Sequence, residues 1–238
     1  MHLFCHEHPE TLSLETEIVD ARPGRVVLAQ SPFYPGGGGQ LADRGVIRWK
    51  SGEAKIVGFE YSSGKLWHLL DTQSDVAGGA VQAAVDPDFR RRMRQLHTDT
   101  HILNALVFRA FDGALVTGVQ MADDGSARMD FDVPYADNDR LRALEGPIND
   151  LIRQDIPVRF AYVPMHEAQA ERGLIRSRSV APPPTPDGKV RIVEITGLDR
   201  QACGGTHLGS TGASPPIRIL KVDNKGRHNR RVRIALAE

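Results

Sequence analysis

His97 and His101 stand four residues apart in HTDTH, and Cys203 and His207 stand four apart in CGGTH. On a helix, side chains at i and i+4 project from one face a turn apart, so one metal ion can reach both imidazoles. In CGGTH, Gly204 and Gly205 give the backbone the freedom to bring both ends of the loop to the same ion. Either pair alone is most often incidental. Together, in a chain with two cysteines, they make a mixed nitrogen and sulfur set that suits zinc best among the common metals. One sulfur and three nitrogens fit a closed structural tetrahedron, and they also fit a catalytic centre in which His207 acts beside the ion. HTDTH invites comparison with the HExxH of zinc proteases, but Thr98 stands where the general-base glutamate belongs. Asp99 points to another face of the helix, so a peptidase reading has no base.

A second stretch with chemical potential is SPFYPGGGGQ, residues 31–40. Gly37, Gly39 and Ala42 formally satisfy the dinucleotide-binding pattern, yet Pro32 and Pro35 separate them from the preceding strand, and DRGVIRW continues as turn and strand rather than helix. No Lys-Ser/Thr pair follows, which excludes a phosphate loop of the Walker type. The remaining readings are a barrel turn, or a loop whose backbone N–H groups approach a substrate without Cβ obstruction.

These residues sit in a chain of 238, long enough for one large or two modest domains. Thirty acidic and thirty basic residues cancel, so any nucleic-acid partner must be held by local patches rather than by global charge. Two candidates are RRRMR at 90–94, with Arg90 and Arg91, and the basic tail from Arg218 to Arg233, with Arg230 and Arg231. A solvated surface is the plainer reading of both. Cys5 and Cys203 make no disulfide framework, and no leader or membrane span is evident, so a cytoplasmic protein is expected.

The elements that must position the ligands divide at Asp86-Pro87. Residues 16–85 carry short alternating or β-branched runs broken by Gly, Pro, Ser and Asp, which predicts a small barrel over 1–86. DFRRRMRQLHTDTHILNALVFRAF has helical periodicity, and DNDRLRALEGPINDLIRQD predicts a second helix with a break near Pro147. ARMDFDVP, VRFAYVP, VRIVEIT, IRILKV and VRIAL read as strands without a βαβ rhythm, so the fold class is α+β, with the second domain over 87–238. The prolines of 180–189 make that segment a loop or lid. No internal repeat stands out.

FYPGGGGQLADRG, HTDTHIL, ARMDFD, VRIVEITGLDRQACGGTH and NKGRHNRRVRI, in that order over nearly the whole chain, resemble the editing module of alanyl-tRNA synthetase in its free-standing form. Those are the alanyl-tRNA editing proteins of the AlaX group. The glycine-motif barrel resembles the medium form, and no synthetase catalytic domain is present. Four glycines where the synthetase form usually has fewer, and Gln201-Ala202 before Cys203, are the departures.

The resemblance implies an editing domain of the threonyl/alanyl-tRNA synthetase type, a sheet packed with helices. It implies ATP-independent hydrolysis in trans of tRNA(Ala) mischarged with serine, with glycine as the alternative. His97, His101, Cys203 and His207 match the family's zinc motif position by position. Family members place a threonine or glutamine some twenty residues after the first histidine to meet the seryl hydroxyl; Thr117 fills that place, with Gln120 second. The same resemblance takes the loop with Gly37, Gly38, Gly39 and Gln40 from the barrel toward the zinc site, and makes the tRNA acceptor end the partner, gripped through Arg90, Arg91, Arg230 and Arg231. No nucleotide cofactor or membrane is expected. No RNP-like aromatic signature is present, as suits recognition of an end rather than of a strand. Two rivals stay open: an RNA-binding accessory module with structural zinc, and a metallohydrolase of another small ester.

Overall fold

The computed structural model describes residues 3–73, 76, 78–171, 173–176 and 184–237. The chain forms two compact units. One runs up to Gly37 and resumes over Ala42–Arg91; the other comprises Gly38–Leu41 and the chain from Arg92 onward.

In the first unit a short helix α1 (Phe4–Glu7) precedes β1 (Ser13–Arg22), β2 (Arg25–Leu28), β3 (Gly45–Trp49), β4 (Gly52–Ser62), β5 (Lys65–Leu70) and β6 (Gly79–Val85). They close into an antiparallel barrel in the order β1-β2-β5-β4-β3-β6. Closure leaves no strand edge open to a second chain. Because alternate residues of a strand face opposite sides, Val81, Ala83 and Val85 of β6 and Ala54 and Ile56 of β4 all reach the core, where they meet Ile18, Val26, Phe33, Ile47 and Leu70. One polar ring is buried there: His68 Nδ1 faces Val26 O at 3.3 Å and His68 Nε2 faces Ser31 Oγ at 2.7 Å. A neutral imidazole satisfies both, donating to the carbonyl and accepting from the hydroxyl.

Helix α2 (Pro87–Ala110) begins in this unit and continues into the next. Asp86 starts it, its Oδ1 accepting from the N–H of Asp88 and of Phe89 at 3.0 Å, with Pro87 at the first helical position where no N–H is needed. The compact units part at Arg91/Arg92, within this continuous helix.

The second unit continues with β7 (Val116–Met121), β8 (Ser126–Asp132), α3 (Asn138–Arg142), α4 (Glu145–Arg153), β9 (Val158–Pro164), α5 (Met165–Ala170), β10 (Lys189–Ile195), β11 (Asp199–Ala202), β12 (Ile217–Lys225) and β13 (Asn229–Leu236). Two antiparallel sheets result, β12-β13-β8-β7 and β11-β10-β9. The class is α+β. The predicted second helix is two helices, and the break falls at Ala143–Leu144, upstream of Pro147. Pro147 then lies in the first turn of α4, where its missing N–H costs nothing. Of the proline-rich segment 180–189, residues 180–183 lie outside the described residues; Lys189 opens β10. Among the described residues no helix is long and apolar enough to cross a membrane.

Candidate metal centre

His97 and His101 project from the buried face of α2, and Cys203 and His207 from the loop after β11. All four are buried, and their ligand atoms lie within 4.8 Å of one another. Cys203 Sγ is 3.3 Å from His97 Nε2 and 3.3 Å from His207 Nε2. Tetrahedral zinc, with bonds of about 2.0–2.3 Å, requires ligand atoms about 3.5 Å apart, so the donor set fits a single ion in type and spacing. Gly205 is what lets the loop come this close: a Cβ there would stand 2.0 Å from His97 Cε1.

Each imidazole is oriented through its other nitrogen. His97 Nδ1 donates to Gln40 Oε1 at 2.8 Å. The Gln40 amide is itself fixed by Thr206, whose N–H donates to Oε1 at 2.9 Å while Gln40 Nε2 donates to its hydroxyl at 2.8 Å. His101 Nδ1 donates to Asp199 Oδ2 at 3.1 Å, a carboxylate that also accepts from Gln201 Nε2 at 2.7 Å and pairs with Arg176 at 2.6 Å. His207 Nδ1 stands 3.4 Å from Thr98 Oγ1, which accepts the N–H of Leu208. Partners of this kind set the tautomer in which Nε2 of each ring would face a bound ion. Two arginines hold the loop backbone: Arg94 Nε donates to His207 O at 2.6 Å, and Arg191 Nη1 donates to Cys203 O and Gly205 O at 3.1 and 2.9 Å.

Burial and mutual charge shift the ligand groups in different directions. Burial alone would raise the Cys203 thiol, but His97, His207 and His101 outweigh it and hold the thiol well below its usual value. Burial, reinforced by the charge of His97, pushes His207 well down. At His101 burial acts downward too, yet Cys203 and Asp199 prevail and hold the ring up to about 9. Asp99, on the other side of α2, accepts from Ser214 Oγ at 2.8 Å, and burial pushes its carboxyl up to about 8. It takes no part in the ligand group.

The other sequence candidates have different surroundings. Gln40, read as a substrate contact, is the partner of His97. Gly39 O accepts the N–H of Met121 at 2.8 Å, and a Cβ on Gly39 would meet Val119 Cγ1 at 2.6 Å, so the loop tip lies against β7; Gly38 belongs to the same unit, and Gly37 to the first, where its carbonyl accepts from Tyr34. Thr117 lies on β7, its hydroxyl 3.2 Å from Asp130 O and 3.3 Å from Asn229 Oδ1. Gln120 is exposed and accepts from Arg128. Arg90 is buried, paired with Asp43 and bonded to Pro32 O. Arg91 is exposed beside Asp88, Arg230 is buried, and Arg231 donates to the two Asp130 oxygens through Nε and Nη2, each at 2.7 Å.

Sequence reading missed Asp199, Gln201, Thr98, Arg94 and Arg191. A signal existed for several. Asp199, Gln201 and Cys203 alternate, as residues on one face of a strand do, and Arg90, Arg94, His97 and His101 follow the 4-3-4 spacing of one helical face.

The fold and site thus define a barrel unit followed by an α+β unit that could hold a metal ion on three imidazoles and a thiolate. The model of the threonyl and alanyl tRNA synthetase second additional domain matches residues 190–233, and the model of class II (A) tRNA synthetases matches residues 6–89. Alanyl-tRNA editing protein AlaX-M of Saccharolobus solfataricus is 36% identical over 222 residues, covering 92% of this chain and 91% of its own length. The protein of that name in Methanosarcina barkeri is 37% identical over 220 residues, 90% of this chain and 89% of its own. Alanine--tRNA ligase of Methanopyrus kandleri is 34% identical over 215 residues, 90% of this chain but 23% of its own length. The chain spans about a quarter of the ligases it matches. It belongs to the family of alanyl-tRNA editing proteins AlaX-M.

Proposed function

We propose that this chain removes chiefly serine, and glycine besides, from mischarged tRNA(Ala) in trans, with zinc as the ion held by His97, His101, Cys203 and His207. The observation that carries the reading is the buried set of four donors whose imidazoles are each fixed through Nδ1, in a chain of this family. Zinc bound there would supply Lewis acidity toward the ester carbonyl or toward water. The chain's own residues do the rest: Gln40, Asp199 and Thr98 hold the rings, Arg94 and Arg191 hold the loop, and the buried surroundings keep bulk water away from the ester.

A pocket selecting alanine cannot strongly reject serine for one extra hydroxyl, on the order of 10² at best, so a second site is needed that recognises that hydroxyl. We assign that contact to Thr117, with Gln120 second. In support, Thr117 sits on β7, the strand against which Gly39 packs, one residue from the Gln40 that bonds His97. Gly37, Gly38 and Gly39 are assigned to the approach of substrate along the loop, and Arg91, Arg230 and Arg231 to the neighbourhood of the acceptor end; of these three, Arg91 is the exposed one. The proposed domains are 1–86 and 87–238, in a cytoplasmic protein acting in translation fidelity.

The test is incubation with tRNA(Ala) charged separately with serine, glycine and alanine, with and without a chelator. Loss of the seryl ester, sparing of the alanyl ester and arrest by chelator support the reading. RNA binding with no ester cleaved would leave an accessory module, and turnover of small esters without tRNA another metallohydrolase. Thr117→Val should slow seryl release and leave zinc content unchanged.

A further inference from the structure

Edge strand β9 carries an aromatic pair on the same sheet face as the metal ligands. Antiparallel partners directly opposite share a face, and the register places Val193 against both Gln201 and Phe160, and Arg191 against Tyr162, with the Cys203 N–H bonded to Arg191 O. Two rows therefore cross the sheet: Gln201-Val193-Phe160 and Cys203-Arg191-Tyr162. Gln201 and Cys203 belong to the metal centre. With strands about 4.8 Å apart, Phe160 lies roughly 10 Å across the sheet from the centre's edge, about the length of one nucleoside.

Phe160 is 39% exposed, on a strand whose other side, among the described residues, pairs with no named strand and is bonded only at its start, where the Val158 N–H donates to Gly209 O. The Arg191 guanidinium stands 5.0 Å from the centroid of its ring, and the same guanidinium holds the carbonyls of Cys203 and Gly205. Tyr162 meets the ring edge to face, with centroids 6.5 Å apart. An open aromatic face, braced by a cation that also fixes the metal loop, is unsuited to serine, which is small and polar. It suits a flat π-system, and the substrate carries one there: the base of the nucleoside whose ribose bears the ester.

We propose that Phe160, braced by Arg191, is the platform on which the terminal base of the acceptor end stacks, holding the ester over the His97, His101, Cys203 and His207 group. This rests on the editing reading. The experiment is steady-state release of serine from seryl-tRNA(Ala) by the full chain and by F160A, F160L and F160Y, with zinc content measured for each. Stacking on aromatics contributes enough per base that F160A and F160L should raise KM roughly five- to a hundredfold, with kcat and zinc nearly unchanged, and F160Y should keep the parent KM. An unchanged KM in F160A beside an active parent overturns the platform alone. Parent behaviour in F160L, which packs on Arg191 without a π-face, also overturns it, whatever F160A does to zinc. A parent inactive on every ester overturns the editing reading and the platform with it.

Discussion

Gln40 Oε1 stands 2.8 Å from His97 Nδ1 and accepts the Thr206 N–H at 2.9 Å, so one amide oxygen ties the glycine loop to both halves of the metal centre. Residues 57 and 166 positions away in sequence meet through it. Gln40→Leu removes the acceptor at similar volume. The expected result is a metal affinity about 10–100-fold weaker, the size usual for loss of such a partner, read by competition with a chromophoric chelator. Unaltered affinity would show that His97 needs no orienting bond.

Gly205→Ala tests the closeness of the loop. Its Cβ would fall 2.0 Å from His97 Cε1, so the loop or the ring must move, at a cost of about 1–3 kcal/mol in stability and with weaker metal retention. Gly209→Ala is the control, since nothing lies within 4 Å of its Cβ. Thermal melts and metal content of both variants decide; equal behaviour contradicts the packing described.

Arg90 and Arg91 separate burial from charge. Arg90→Ala strands Asp43 in the barrel unit without its partner, which costs about 3–5 kcal/mol by urea denaturation. Arg91→Ala, at an exposed ion pair, should leave the denaturation midpoint where it was. If Arg90→Ala were equally silent, the buried pair would not be holding the unit together.

The barrel should weaken in mild acid because of His68. Burial brings its pKa from 6.5 down to about 4, so between those values the unfolded chain takes up a proton that the folded chain refuses. Stability from this group is whole above about pH 6.5 and declines as pH falls toward 4, by ~3 kcal/mol in all. Release of a metal bound at the His97, His101, Cys203 and His207 group would add a loss of its own in acid. The quantity to measure is therefore the difference between parent and His68→Gln in chelator, which should shrink or reverse as pH falls. A constant difference from pH 7 to 4 would mean that His68 takes up its proton equally readily in both states.

Much of this was legible in the residues. Helical spacing at His97 and His101, the glycines of CGGTH and the alternating strands are local signals, and local signals survive without a fold. What sequence concealed was environment. RRRMR reads as a charged patch because arginine is ordinarily solvated, yet Arg90 and Arg94 share the helix face of the two histidines and are buried with it. Gln40 reads as the end of a glycine loop because its partners lie so far along the chain. β11 is four residues long and declares itself through pairing with β10, not through composition. Pro147 marked a break, but the first turn of α4 absorbs it.

Deacylation by this chain should depend on one zinc ion held by two segments a hundred residues apart. The most direct measurement is zinc per chain together with the rate of serine release, for the parent and for Cys203→Ala. The parent should carry one zinc and release serine rapidly, and the variant should lose both with its barrel still folded. Full release by a variant carrying no zinc would contradict that dependence.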